Sequence, residues 1–130
     1  MPITWCVEPD ARFVRFTVVD PYTLDDWRDA MTAILESPTV TLPLTLLVDR
    51  RRTHSLSKAT VEGFNRFFTE HQHALSGGRC AIVLSSGVYF EIAEMVRTVL
   101  RIPNTSIRTF QDYDEALAWL VRGSESRSQK

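Results

Sequence analysis

Leu44–Ser57, L-T-L-L-V-D-R-R-R-T-H-S-L-S, is the stretch whose reading decides the fold. Leu44 to Val48 is a short, nearly continuous apolar run, too brief for a helix and consistent with a strand buried on both faces. Asp49 and three arginines follow, and then a serine, Ser55 or Ser57, stands where it can cap a helix. A buried strand leading into a capped helix is the repeating unit of an α/β domain. The turn after the strand belongs to the rim where ligands gather in such sheets.

Working downstream, Val61, Phe64, Phe67, Phe68 and His71 recur at helical spacing, and Ser76-Gly77-Gly78 stops that helix with a glycine suited to the left-handed conformation. Cys80 to Leu84 is a second apolar strand. Ser85-Ser86-Gly87 leads into a helix whose inner stripe is Val88, Ile92, Met95, Val96 and Val99. Ile107 to Phe110 is a last short strand, and Asp112-Tyr113-Asp114-Glu115 opens a final helix through Leu117 and Leu120. From residue 122 the chain lacks apolar anchors, so 1–121 is read as one domain and 122–130 as a disordered tail.

Upstream, Ile3, Trp5 and Val7 alternate with Thr4 and Cys6, and Glu8-Pro9-Asp10 supplies a turn. Val14, Phe16 and Val18 then share one face of a partner strand, while Arg15 and Thr17 give the other face a wet character. Thr23 caps a helix with Asp25 and Asp26 in its first turn and Leu24, Trp27, Met31, Ile34 and Leu35 as its buried stripe; Ser37-Pro38 ends it. The expected order is β-β-α-β-α-β-α-β-α: a mixed, mostly parallel five-stranded sheet with an antiparallel hairpin at one edge.

The chain's 130 residues suffice for a core, and 44% hydrophobic with 24% charged residues is ordinary for a globular domain. Net charge is -1, and the tail holds three basic residues against one acidic, so the folded part has no basic nucleic-acid footprint. No apolar run reaches the length of a membrane span, and the N-terminus lacks the pattern of a signal peptide. A cytoplasmic, bacterial-type protein is expected. Cys6 and Cys80, without C-x-x-C spacing and inside strand-like segments, are expected as buried thiols.

The rim residues Asp49, Arg50, Arg51, Ser55, Ser57, Ser85 and Ser86 form a candidate anion site, since guanidinium forks and helix N-termini both favour negative ligands. The simpler account is a solvated charge run whose arginines pair with Asp20 or Asp49; no glycine-rich phosphate loop is present. Asp49 and His54 with a nearby serine could compose a hydrolytic triad, but no G-x-S-x-G elbow presents a nucleophile, and a surface histidine explains the same residues. His71 and His73, two apart, point to different faces and are not read as metal ligands. No catalytic residue, metal or cofactor is assigned, and no enzyme activity is expected. Tyr89, Phe90, Ala93 and Leu100 remain apolar after the inner stripe of their helix is assigned, so they are the candidate interface of a homodimer or a small cleft.

The strand-to-loop L-L-V-D-R-R, the later C-A-I-V-L-S-S-G-V-Y-F, the helix run A-E-M-V and the ending F-Q-D-Y-D-E-A-L-A-W-L together resemble the small bacterial STAS-like domains, from about Ile3 to Val121. These share the fold of the anti-sigma-factor antagonists and, more remotely, of the CRAL-TRIO lipid carriers. The resemblance implies a non-enzymatic regulatory module that binds an unidentified protein partner. It also implies a phosphorylated serine at the start of the helix after the third strand, for which Ser57 is the nearest match and Ser55 its neighbour. The antagonists carry D-S-S-G there, whereas this chain has H-S-L-S-K. The chain is too short for the roofing helices of the lipid carriers. The competing expectation is a binder of phosphate, carboxylate or lipid head-groups at the strand-end rim.

Overall fold

The structure, a computed structural model, describes residues 2–8 and 12–128, with side chains through 122. Its elements are β1 (Ile3–Glu8), β2 (Phe13–Val19), α1 (Leu24–Glu36), β3 (Leu46–Arg52), α2 (Lys58–Glu70), α3 (Gln72–Leu75), β4 (Arg79–Val83), α4 (Tyr89–Thr98), β5 (Ser106–Phe110) and α5 (Tyr113–Ser128). The five strands pair in chain order; β1 runs antiparallel to β2, and every other pairing is parallel. The expected mixed sheet with a hairpin edge is therefore the observed one. Pro9 and Asp10 of the anticipated hairpin turn lie outside the described residues.

Strand alternation sorts the core into two layers. On one face Val14, Phe16, Val18, Leu46, Cys80 and Ile82 pack under α1, α2 and α4, with Trp27, Met31, Ile34, Val61, Phe64 and Phe68 opposite. Trp27 stacks on Phe64 at 4.2 Å between ring centroids and meets Phe67 and Phe68 edge-on. On the other face Phe13, Leu47, Ala81, Val83 and Phe110 pack with Ala116 and Leu120 of α5 alone. One helix covers only part of a five-stranded sheet, which leaves Arg15 and Thr17 half-buried on the anticipated wet face.

The capping signals act as read. Thr23 and Asp26 form a reciprocal capping box on α1, Ser57 Oγ accepts the Thr60 N–H at 3.1 Å, and Asp112 Oδ1 accepts the N–H groups of Asp114 and Glu115. Gly77, at φ 94°, takes the left-handed turn that closes α3.

Three expectations are corrected. The third strand runs past Val48 through Arg52, because β2 continues to Val19 and pairs with Arg52 beyond a register shift, so that an adjacent strand outweighs the poor strand propensity of the arginines. The second long helix breaks at His71, and α3 follows as a separate turn. Cys6 is exposed rather than buried, since it faces the side of the sheet that α5 leaves open at the β1 edge; Cys80 is buried as expected. The last helix, α5, keeps helical backbone through Ser128. Residues 129–130 lie outside the described residues.

Candidate functional site

Because β3 extends through Arg52, its three arginines alternate across the sheet instead of clustering on a turn. Asp49 and Arg51 share the face that α5 partly covers. Arg51 grips Asp49 with both arms of its fork, Nε to Oδ1 at 3.0 Å and Nη2 to Oδ2 at 2.8 Å, and its backbone N–H donates to the same Oδ1 at 3.1 Å. Partial burial alone would raise the Asp49 pKa, but the Arg51 bonds and charge, helped by Arg52, hold it below its ordinary value of 3.8. Tyr113, at the start of α5, stands between two guanidiniums: Arg51 lies 5.0 Å and Arg15 5.7 Å from its ring centre. Arg15 also pairs with Glu8 at 3.1 Å. The result is a self-neutralised polar strip over the open part of the sheet.

Arg50 points to the opposite face and is 4% exposed. Its Nη2 donates to Tyr22 Oη at 2.9 Å, and its guanidinium carbon lies 5.4 Å from the Tyr22 ring centre. Nε is sealed from solvent with no hydrogen-bond partner, and among the described residues no carboxylate pairs with this charge. Arg50 lines a cavity of about 50 Å³ whose other walls include Trp27, Leu56, Phe64, Ile92 and Leu100. The next residues fold over it: Thr53, 2% exposed, returns its hydroxyl to Arg50 O at 2.7 Å.

The candidate anion rim is thus divided. Asp49 and Arg51 neutralise each other on one face, Arg50 is interior on the other, and Arg52 is exposed. Ser55 and Ser57 are exposed after β3, while Ser86 is exposed and Ser85 half-buried after β4. Strand alternation sends Asp49 and Arg51 to one face of the sheet and Arg50 to the other. The triad is likewise not assembled: His54 Nδ1 lies 3.1 Å from Asp20 Oδ2, its backbone N–H donates to that same oxygen at 2.7 Å, and Asp49 is occupied by Arg51. This bond ties the loop after β3 to the loop before α1. His71 stacks on Phe67 and is half-buried, whereas His73 is exposed, the arrangement their spacing implied. Among the described residues no group of His, Cys, Asp and Glu is placed to hold a metal ion.

Of the candidate interface, Phe90 is 81% exposed, and Tyr89 and Ala93 are half-buried, with Tyr89 Oη reaching Thr109 on β5. Leu100 belongs to the core instead. Asn65 on α2 accounts for this, donating to Val99 O at 2.8 Å and accepting from Arg101 N, so that the end of α4 is drawn inward around Leu100. Sequence reading missed two side chains, Tyr22 and Tyr113. Each lies three residues past a strand end, and an aromatic beside a break is the one signal that marks them.

Among the described residues no helix is long and apolar enough to cross a membrane. No curated protein and no solved structure matches the chain significantly. The SpoIIAA-like family model matches residues 13–121, which takes in β2 to β5, α1 to α4 and the first part of α5. With the five-stranded mixed sheet and its alternating helices, this establishes that the chain belongs to the SpoIIAA-like family and has a STAS-like fold.

Proposed function

We propose that this protein is a regulatory module that works by binding a protein partner, without turnover, and that the N-terminus of α2 at Ser57 is its switch. The observation that carries this reading is the placement of Ser57: an exposed N-cap directly after the third strand, its Oγ bonded to the Thr60 N–H. A phosphoryl group there adds close to two negative charges at the end of a helix that favours them, so it strengthens the cap while changing the docking surface. Lys58, the next residue, and Arg52, five residues earlier, are both exposed basic groups that suit such a charge. Membership of the SpoIIAA-like family supports a regulatory rather than catalytic role.

The test is incubation with ATP and bacterial lysate followed by mass spectrometry. Phosphate on Ser57, absent in Ser57→Ala, is the expected result; no phosphate on Ser55 or Ser57 rejects the switch. The exposed ring of Phe90, with Tyr89 and Ala93 beside it, supports α4 as a contact surface for a partner or a second copy of the chain. Leu100, being core, takes no part.

A further inference from the structure

The parallel part of the sheet ends at β5, whose outer edge has no strand partner among the described residues. Ser106 N–H donates to Gly78 O and Phe110 O accepts from Leu84 N–H, so the even-numbered residues of β5 direct their backbone groups to β4. Ile107 and Thr109 lie between them and turn their N–H and C=O outward. Thr109 O is met by Tyr89 Oη at 3.4 Å and keeps a second lone pair. Of the usual guards of such an edge, proline and a bulge are absent from Ser106–Phe110, whose register against β4 is unbroken, and Arg108 is its one charge. A groove of about 550 Å³ lies between this edge and α4, with Phe90, Ala93, Val96 and Ile107 as apolar walls and Glu94 and Arg97 as charged ones.

We propose that the β5 edge and the groove beside it are a self-association surface, covered by a second copy of the chain whose β5 pairs antiparallel to the first and joins the two sheets into one. This rests on the reading of α4 as a contact surface and names what covers it; it does not depend on Ser57. Charge selects both the occupant and the register. A two-fold axis sets a surface against itself, so a helix face of one sign repels its own copy. Glu94 and Arg97, paired with each other at 2.6 Å, leave this face of α4 without net charge. Arg108 is exposed and forms no ion pair among the described residues, so it enters the joint as a bare cation. A register centred on Arg108 sets the two guanidinium side chains directly opposite each other, which like charge disfavours. One centred on Thr109 runs the pairing into Gln111, where the chain bends before α5. Centring on Ile107 avoids both. Ile107 then exchanges hydrogen bonds with its counterpart, Thr109 with Thr105 of the second copy, and Arg108 faces the exposed Ser106. Phe90, 81% exposed at the groove, is covered where the two α4 helices meet above the joined strands.

Ser106→Glu tests this, because the Ile107-centred register brings position 106 opposite Arg108 of the second copy on both sides of the axis. Sedimentation of the full chain between ~1 µM and ~1 mM is expected to show a monomer–dimer equilibrium. It should tighten by about twofold to tenfold in Ser106→Glu and weaken by at least about twofold in Ser106→Arg. Amide hydrogen exchange over the same range is expected to show protection of the Ile107 and Thr109 N–H groups rising with concentration. Association that is unchanged or weakened by Ser106→Glu overturns the proposal. So does a dimer whose Ile107 and Thr109 N–H groups stay unprotected, an outcome that keeps the contact through α4 and removes the strand pairing. A chain that is monomeric throughout also overturns it and leaves α4 to a different partner. The exchange measurement uses the unaltered protein, and position 106 is exposed, so the conclusion does not depend on a variant failing to fold.

Discussion

Replacing Arg50 with methionine tests whether this buried charge holds the fold together. The side chain is 4% exposed, and its ties to the protein are one hydrogen bond to Tyr22 and the face of that ring. A hydrogen bond to a charged group contributes about 1.5–3 kcal/mol, and a cation over an aromatic ring about 0.5–2 kcal/mol. Against them stands the burial of an unpaired cation, which costs several kcal/mol even after relaxation. Methionine has a similar length, keeps the apolar contacts and removes the desolvation cost. The variant should therefore lie between unchanged and about 2 kcal/mol more stable. For a chain of this size each 1 kcal/mol raises Tm by roughly 3–5 °C. Urea denaturation followed by circular dichroism measures the free energy, and a calorimetric melt checks the shift. A loss of more than about 2 kcal/mol would refute the reasoning, because the guanidinium would then be a strut of the fold whose charge is compensated within the protein.

The other expectations are more local. Gly78→Ala should cost about 2–3 kcal/mol in a thermal melt, since its new Cβ would collide with the carbonyl of Leu44 and sit 3.1 Å from Leu75 O, both backbone atoms that cannot swing away. Asp49 has a folded pKa below its ordinary 3.8, so its stabilising contribution is complete above that value and is lost as pH falls through the lower folded one. Asp49→Asn should accordingly flatten the acid end of a pH–stability profile, and a profile identical to the parent's would contradict the Arg51 pairing. Burial pushes the Cys80 thiol up to about 12, so in the native protein at pH 8 a thiol reagent should label exposed Cys6 and leave Cys80 until urea unfolds the chain. Phe90→Ser should leave the unfolding free energy within about 0.5 kcal/mol of the parent, and light scattering should show less self-association; an unchanged mass distribution counts against a homodimer through α4.

Much of the architecture is local information. Alternation in Ile3–Val7, the helical stripes from Trp27 to Ile34 and from Val61 to Phe68, and the caps at Thr23, Ser57 and Asp112 each depend on residues within a turn or two of one another. Such patterns are written along the chain, and the family match over 13–121 agrees with the ordered set of elements. The errors share another character. Cys6 was misread from its apolar neighbours, and Leu100 from a helical face that ends before it.

What the sequence alone determined, then, is the element order, the hairpin edge, the buried strands and the presence of charge just past Val48. Tertiary structure decided where those charges go. Whether Asp49 to Arg52 form a turn or extend a strand depends on how far β2 runs beside them, a pairing between residues more than thirty positions apart. Once that pairing exists, the two-residue period of a strand sends Arg51 out to Asp49 and Tyr113 and turns Arg50 inward, toward Tyr22 and an apolar hollow. A shift by one residue would exchange them, because side-chain direction in a sheet is a property of register, and register is set by the neighbouring strand.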